Sequence, residues 1–272
     1  MSHNGGFSEF TSHSTIAHLT GVKLSSIPIP LPPLDEQRRI VDLLERAAGI
    51  RRLREQALAK ARAIAPALFL DMFGDPATNP KGWPVVKLGS LLAKKPNYGT
   101  MKKPTAGPSA WIDLRVGNIR PAEIDLSGLK YVELEANEIE RHTVHDGDLL
   151  VVRAIGSEQH LGKVAVARPN GARWAFDSHL MRVRLEDSRA LPEFIALLLT
   201  TPSGRALLMK NTRNTAVQFN INTGELCSVA VPVPPLEIQL AFADLRSIIA
   251  QQERSLATAR DLERSLMARL LG

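Results

Sequence analysis

Apolar and polar positions follow one pattern twice along this chain. A short apolar run broken by prolines leads into a long segment with apolar residues at alternating steps of three and four. The first copy begins Ile27-Pro28-Ile29-Pro30-Leu31-Pro32-Pro33-Leu34-Asp35-Glu36-Gln37 and the second Val229-Ala230-Val231-Pro232-Val233-Pro234-Pro235-Leu236-Glu237-Ile238-Gln239. The match extends both ways: Leu24-Ser25-Ser26 stands over Leu226-Cys227-Ser228, and residues 68–74 resemble 266–272. Internal repetition fixes architecture before any finer reading. The chain reads as tail, helix, globular insert, tail, helix.

Each tail predicts an extended edge segment, because proline gives up its ladder donor and holds the preceding residue out of the helical region. Each Pro-Pro-Leu predicts a helix start, where proline is tolerated and the following Asp35, Glu36 or Glu237 suits the positive helix end. The first seam runs through Leu43, Ala47, Ile50, Arg54, Ala57, Ala61, Ile64 and Leu68. The second runs through Phe242, Leu245, Ile249, Gln252, Leu256, Ala259, Glu263, Leu266 and Leu270. Such spacing predicts coiled-coil packing. The two seams most simply bury each other, with Arg54 and Gln252 as a candidate polar layer; separate helices on a common core are the alternative. Pro66 should kink or interrupt the first helix. The expected interface residues are Leu43, Ala47, Ile50, Ala57, Ile64, Leu245, Ile249, Leu256 and Leu266.

Between the helices the period changes. Val85-Val86-Lys87-Leu88, Trp111-Ile112-Asp113-Leu114-Arg115-Val116, Leu149-Leu150-Val151-Val152, Gly162-Lys163-Val164-Ala165-Val166-Ala167 and Leu180-Met181-Arg182-Val183-Arg184-Leu185 read as strands. The run 149–152 is apolar throughout, which predicts burial on both faces. Residues 192–208 read as one helix with Pro192 at its start. The expected division is a flexible start and domain end at 1–33, a helix at 34–74, a linker at 75–82, an insert at 83–225, a strand and proline connector at 226–235, and a helix at 236–272. The fold class is α+β: one α/β domain with two long helices packed as an antiparallel coiled coil. Residues 14–33 match the end of the insert, so they read as the end of a further domain of the same kind.

Composition narrows the function. Hydrophobic content of 44% supports a real core. The single Cys227 excludes a disulfide framework and a cysteine zinc site, and it suits a reducing cytoplasm. No apolar run approaches bilayer length, and the start of the chain lacks a signal-peptide core, so no membrane role is expected. A net charge of +6 points modestly to a polyanion partner. There is no glycine-rich phosphate loop, dinucleotide fingerprint or His-Glu-x-x-His, and no catalytic or metal site is expected.

The candidate chemistry therefore lies in binding. Lys94, Lys95, Lys102 and Lys103 flank Tyr98 in what reads as a Gly/Pro-rich loop, suited to phosphate and base contact or simply solvated. Arg153 follows the buried run 149–152 and heads either a functional loop or an ordinary turn. Arg213, Asn214 and Gln218 offer the guanidinium and amides that read purine edges, or they cap a loop. Ser178-His179 reads as structural, because no second acid or nucleophile is spaced to help it. Asp113, Asp146, Asp148, Asp177 and Glu158 read as turn residues and surface charge.

Several of these residues carry a resemblance. Trp83 with Leu88, Gly147-Asp148-Leu149-Leu150 with Arg153 and Gly156, Ser178-His179-Leu180, Gln218 with Asn220-Ile221, and above all the twice-used Pro-x-Pro-Pro-Leu-x-x-Gln resemble the specificity subunit of type I restriction–modification enzymes. The resemblance implies a non-catalytic subunit that reads double-stranded DNA through a target recognition domain and uses its two helices as a ruler. It implies a methyltransferase subunit docked on the helices and a restriction subunit joining for cleavage. It implies no cofactor of the chain's own, with S-adenosylmethionine and ATP on the partners. Family subunits carry two recognition domains, whereas this sequence has one complete domain at 83–225. Three arrangements follow: a homodimer reading a split symmetric site, a combination with another half-subunit, or an inactive remnant. A coiled-coil protein whose α+β domain binds protein is the rival from another class.

Overall fold

The computed structural model describes residues 25, 31–157, 159–210, 213–214 and 219–271, with side chains other than those of 213, 214, 219, 254 and 256–271. The expected domain end at 14–33 therefore lies almost wholly outside the described residues, as do Glu158 and Gln218. The chain divides into two compact units, residues 1–54 and 55–272.

The elements, in order, are α1 (Leu34–Phe73), β1 (Val85–Lys87), β2 (Leu92–Tyr98), β3 (Trp111–Leu114), β4 (Ile119–Arg120), β5 (Glu123–Ile124), β6 (Lys130–Val132) and α2 (Ala136–His142). Then come β7 (Leu149–Val152), β8 (Ala154–Ile155), β9 (Val164–Val166), β10 (Trp174–Phe176), β11 (Leu180–Leu185), α3 (Pro192–Thr200) and α4 (Pro202–Met209). The last are β12 (Arg213–Asn214), β13 (Phe219–Asn220), α5 (Thr223–Ser228), β14 (Ala230–Pro232) and α6 (Leu236–Leu271).

The repeated motif is a repeated hydrogen-bond pattern. In the first copy the Pro33 carbonyl accepts from the Glu36 and Gln37 amides, and Gln37 Nε2 reaches back to the Pro32 carbonyl at 2.7 Å. In the second, the Pro235 carbonyl accepts from Ile238 and Gln239, and Gln239 Nε2 donates to the Pro234 carbonyl at 2.8 Å. Proline has no amide to spend, so the glutamine satisfies the carbonyl that the bend turns inward. Gln239 is fully buried and also accepts from the Leu191 amide at 2.9 Å, which ties the start of α6 to the start of α3.

The described part of the first unit is the opening of α1. Arg38–Asp35, Arg39–Glu36 and Arg46–Asp42 pair one turn apart. Leu34, Ile40, Val41, Leu43, Leu44, Ile50 and Leu53 are all exposed, Leu43 at 53% and Leu53 at 62%.

In the second unit, α1 continues through Pro66 to Phe73, so the expected interruption does not occur. Gly74, at φ 80°, ends it. Trp83 Nε1 donates to the Phe73 carbonyl and Asn79 brackets the Trp83 backbone, which fixes the linker 75–82. Phe69 and Phe73 of α1, Phe194 of α3 and Phe242 of α6 form one aromatic cluster with ring centroids 4.9–5.8 Å apart. Fully burying each ring is worth roughly 1.5–3 kcal/mol. The end of α1 and the beginning of α6 meet here, Leu68 and Ile249 of the two seams packing against the same core.

A sheet in the order β2-β11-β7-β9 carries the rest. β7 is buried at every position. Leu149 and Val151 face the core shared with the helices, while Leu150 and Val152 face a second core with Leu114, Ile119, Trp174, Phe176 and Leu180. A strand between two cores must be apolar on both sides, as its sequence is. A smaller sheet, β10-β3-β6, backs that second core. β1 pairs with β14, Val86 opposite Val231, so the connector before α6 closes onto the start of the insert.

Two expectations are corrected. Residues 192–208 form two helices, because the Thr201 hydroxyl caps the second at Gly204 N and Pro202 takes its first turn. Asp113, Asp148 and Asp177 are not surface charge: they are 0, 0 and 5% exposed. Asp148 accepts from Arg184 Nε and Nη2 at 2.7 and 2.8 Å and from the His145 amide. Its arginine comes from β11, so neighbouring sequence gave no sign of the pairing.

Candidate nucleic-acid interface

Four connections converge where β2 ends, β3 ends, β7 passes into β8 and β10 turns into β11. Backbone pairing sets their positions. The Arg153 amide donates to the His179 carbonyl, the Ile221 amide to the Arg153 carbonyl, and the Ser178 amide to the Thr100 carbonyl. Gly99 allows the closest approach: a Cβ there would lie 2.1 Å from the Phe176 carbonyl oxygen.

Arg153 is the hub. Its guanidinium lies 4.1 Å from the Tyr98 ring centroid, Nη1 donates to the Ser178 carbonyl and Nη2 to Asn220 Oδ1, each at 2.9 Å. The Tyr98 hydroxyl accepts from the Thr223 amide at 3.3 Å. A guanidinium with this many fixed partners is preorganised. Its first role is to hold together the segments around it.

Beside the hub lies a charged cluster. Asp177 Oδ1 accepts from the His179 amide at 3.0 Å, and Oδ2 lies 3.0 Å from His179 Nδ1. Arg115 Nη2 stands 3.2 Å from Asp177 Oδ2 and Nη1 3.8 Å from Asp113 Oδ2. The His179 and Arg115 side chains remain 48 and 38% exposed. Neither carboxylate oxygen of Asp113 has a hydrogen-bond partner among the described residues. Burial, and then the neighbouring Asp177 charge, push its pKa up to about 6 against the pull of Arg115.

Of the residues singled out in the sequence, the structure brings Tyr98 and Arg153 together and places Arg213 and Asn214 on β12, which joins β8 through β13. Gln218 lies outside the described residues. Lys94, Lys95 and Tyr98 are on a strand, not in a loop. β2 is a sheet edge and so accepts Pro96. Lys94 sits about 13 Å along the strand from Tyr98 at the usual rise. Lys102 is held at 3.0 and 2.6 Å by Glu135 and Glu138 at the start of α2, and those two carboxylates raise its pKa. Lys103 is exposed.

Along the seams, Leu43, Ile50, Ile64 and Leu245 are 53, 48, 51 and 43% exposed, Ala57 is exposed, and Ala47 and Ile249 are partly buried. The side chains of Leu256 and Leu266 lie outside the described residues. Arg115, His179, Asp113 and Asp177 were missed as site residues. Strand alternation put Asp113 and Arg115 on one face, but only the fold brings Asp177 and His179 to them. No three His, Cys, Asp or Glu side chains among the described residues gather into a metal site, and no described helix is long and apolar enough to cross a membrane.

Comparison with known proteins supplies the context. Residues 6–60 match the type I restriction modification DNA specificity domain. The chain is 27% identical over 289 residues to the type I restriction enzyme EcoKI specificity subunit of Escherichia coli strain K12, covering 96% of this chain and 61% of that one. It is 23% identical to the StySPI specificity subunit of Salmonella potsdam, with the same coverage of both chains. It thus spans about 61% of the length of these relatives. Among solved structures it resembles the type I restriction–modification S subunit from M. genitalium, with a TM-score of 0.58 at 11% identity, covering 97% of this chain and 67% of that one. A chain from a study of complex assembly and conformational transition of the type I R-M system gives a TM-score of 0.54 at 23% identity, covering 88% and 58%. With the repeated proline–helix motif on both helices, these matches agree: the chain is similar to the specificity subunits of type I restriction–modification enzymes.

Proposed function

We propose that this chain is a sequence-reading DNA-binding subunit that brings a type I methyltransferase subunit, and through it the restriction subunit, to a DNA target. The observation that carries the reading is the convergence of Tyr98, Arg115, Arg153 and His179 from four connections, with Asn220 from β13, onto one end of the sheet. Guanidinium, imidazole, amide and phenol are the groups that contact base edges and phosphates. In this reading residues 83–225 form the recognition domain, residues 34–74 and 236–272 are the helices on which partners dock, and the chain performs no chemistry itself. S-adenosylmethionine and ATP act on the partner subunits. The charge balance and the reducing-compartment composition suit a cytoplasmic protein that meets DNA.

The exposed apolar face of α1 between Leu34 and Leu53 favours pairing with another chain. A two-fold dimer presents two recognition domains and reads a symmetric split site. A different half-subunit on the same face gives two unlike half-sites.

Selection of bound sequences from a randomised DNA pool, with and without a type I methyltransferase subunit, tests the reading. Enrichment of a split palindrome is the result expected of the homodimer. Two unlike halves, appearing only with a second subunit, support the mixed assembly. No enrichment under either condition overturns DNA reading and leaves a protein-binding domain or a remnant.

A further inference from the structure

We propose that Arg115 and His179 are a base-contacting pair of the recognition domain, and that Asp177 and the buried Asp113 beneath them are positioning residues that make DNA affinity depend on pH. This rests on the DNA-reading function above.

The geometry is specific. Asp177 takes the His179 ring at Nδ1 and the His179 amide at once, which fixes both the tautomer and the direction of a half-exposed imidazole. The same carboxylate takes Arg115, whose guanidinium is also half-exposed. One buried anchor thus presents a guanidinium donor and, with Nδ1–H held by the carboxylate, an imidazole Nε2 acceptor side by side, an arrangement suited to the donor-and-acceptor edge of a purine. Lys94, Lys95 and Lys102 were the natural sequence candidates, yet two of them lie along β2 and the third is paired with glutamates.

Asp113 adds the pH dependence. It is fully buried, with no hydrogen-bond donor among the described residues. The charges acting on it are Asp177, from the β10–β11 turn, and Arg115, just past the end of its own strand. On β6 its register partner is the exposed Lys130. Arg173, just before β10, lies over Trp111 at 5.9 Å. When Asp113 is ionised, Arg115 is shared between two carboxylates. When it is neutral, Arg115 answers to Asp177 alone and carries more uncompensated charge toward an incoming polyanion. DNA's own negative potential favours the neutral form, so binding takes up a proton.

The experiment is sequence selection followed by DNA-affinity titration of the full chain, with methyltransferase subunit, from pH 5.5 to 8. Wild type, Arg115→Lys, His179→Gln, Asp113→Asn and Asp177→Asn are compared, with circular dichroism as the folding control. Wild-type affinity is expected to rise as pH falls, by up to about tenfold per pH unit where one proton is taken up. Arg115→Lys and His179→Gln should relax preference at one or two positions of the target. Asp113→Asn should keep the target and the low-pH affinity while flattening the profile. Asp177→Asn should weaken binding at every pH. If wild type selects a sequence and Arg115→Lys and His179→Gln select the same one unchanged, the pair assignment is wrong. If Asp113→Asn titrates as wild type does, the positioning role is wrong. If wild type selects no sequence, the DNA-reading function falls, and this inference with it.

Discussion

Replacing Asp113 by asparagine should stabilise the protein, and only where the carboxylate is ionised. The carboxyl titrates near 6 in the folded chain and near 3.9 in the unfolded one. Below about pH 4 both states hold the proton and the residue contributes nothing to pH dependence. Between about pH 4 and 6 the unfolded chain has lost its proton and the folded one keeps it, so stability falls as pH rises. Above that range both are ionised and the full cost remains, about 3 kcal/mol. The cost arises because the side chain is fully buried with no donor to answer it, and because Asp177 carries like charge nearby. Asparagine keeps the shape, removes the charge and offers Asp177 an amide donor. Urea unfolding followed by tryptophan fluorescence suits the region, since Trp111 and Trp174 are 8 and 4% exposed within it. Asp113→Asn should exceed wild type by about 1–3 kcal/mol at pH 8, the gap closing to near zero by pH 4. A gap that does not change with pH, or a variant less stable at pH 8, would refute the assignment of Asp113 as an ionised, uncompensated group.

Asp148 should behave in the opposite way. Asp148→Ala strands Arg184 beside β7 and should cost about 3–5 kcal/mol by urea unfolding; a loss below about 1 kcal/mol would mean the pair is not desolvated. Phe242→Ala opens the aromatic cluster and should cost about 3–5 kcal/mol. Its loss should be non-additive with Phe69→Ala, which touches the same ring. In DNA titrations against salt, Lys103→Ala should reduce the log–log slope by about one, whereas Lys102→Ala should leave it nearly unchanged because Glu135 and Glu138 already hold that charge. Leu43→Asp with Ile50→Asp should abolish self-association in sedimentation while sparing the unfolding midpoint of residues 55–272, since both side chains are about half exposed in the single chain.

What was legible in the sequence was what local pattern controls. The doubled proline motif announced two helix starts because its chemistry is local: proline, then an acidic first turn, then a glutamine that returns to a carbonyl five residues back. The apolar run at 149–152 announced a doubly buried strand because a strand between two cores has no polar face to show. The lysines around Tyr98 misled for the converse reason. Pro96 and Gly99 look like loop punctuation, but an edge strand tolerates one and a close backbone crossing requires the other. Arg153 drew notice from its place after β7. Its role as hub depends on Ser178 and Asn220, which lie 25 and 67 residues away, and no window along the chain reports such contacts.

The buried aspartates make the same point about chemistry. Asp148 and Asp113 look alike in sequence, each an acid among apolar strand residues, one just before β7 and the other within β3, and each is completely buried. Asp148 is ringed by an arginine fork and a backbone amide. It therefore does what buried charge most often does, which is to fix one strand against another. Asp113 has only a guanidinium at 3.8 Å that is engaged more closely elsewhere. A fold that needed merely to fill that space would be better served by leucine or asparagine, since an unanswered carboxylate in an apolar wall weakens it. The surrounding structure supports that weakness next to Arg115 and His179, two half-exposed polar side chains on the surface we propose to face DNA. Local cost beside exposed, preorganised polar groups is what distinguishes a working site from a structural ion pair. On that ground the cluster at Asp113, not the better-formed pair at Asp148, is the one we propose as the ligand-facing site.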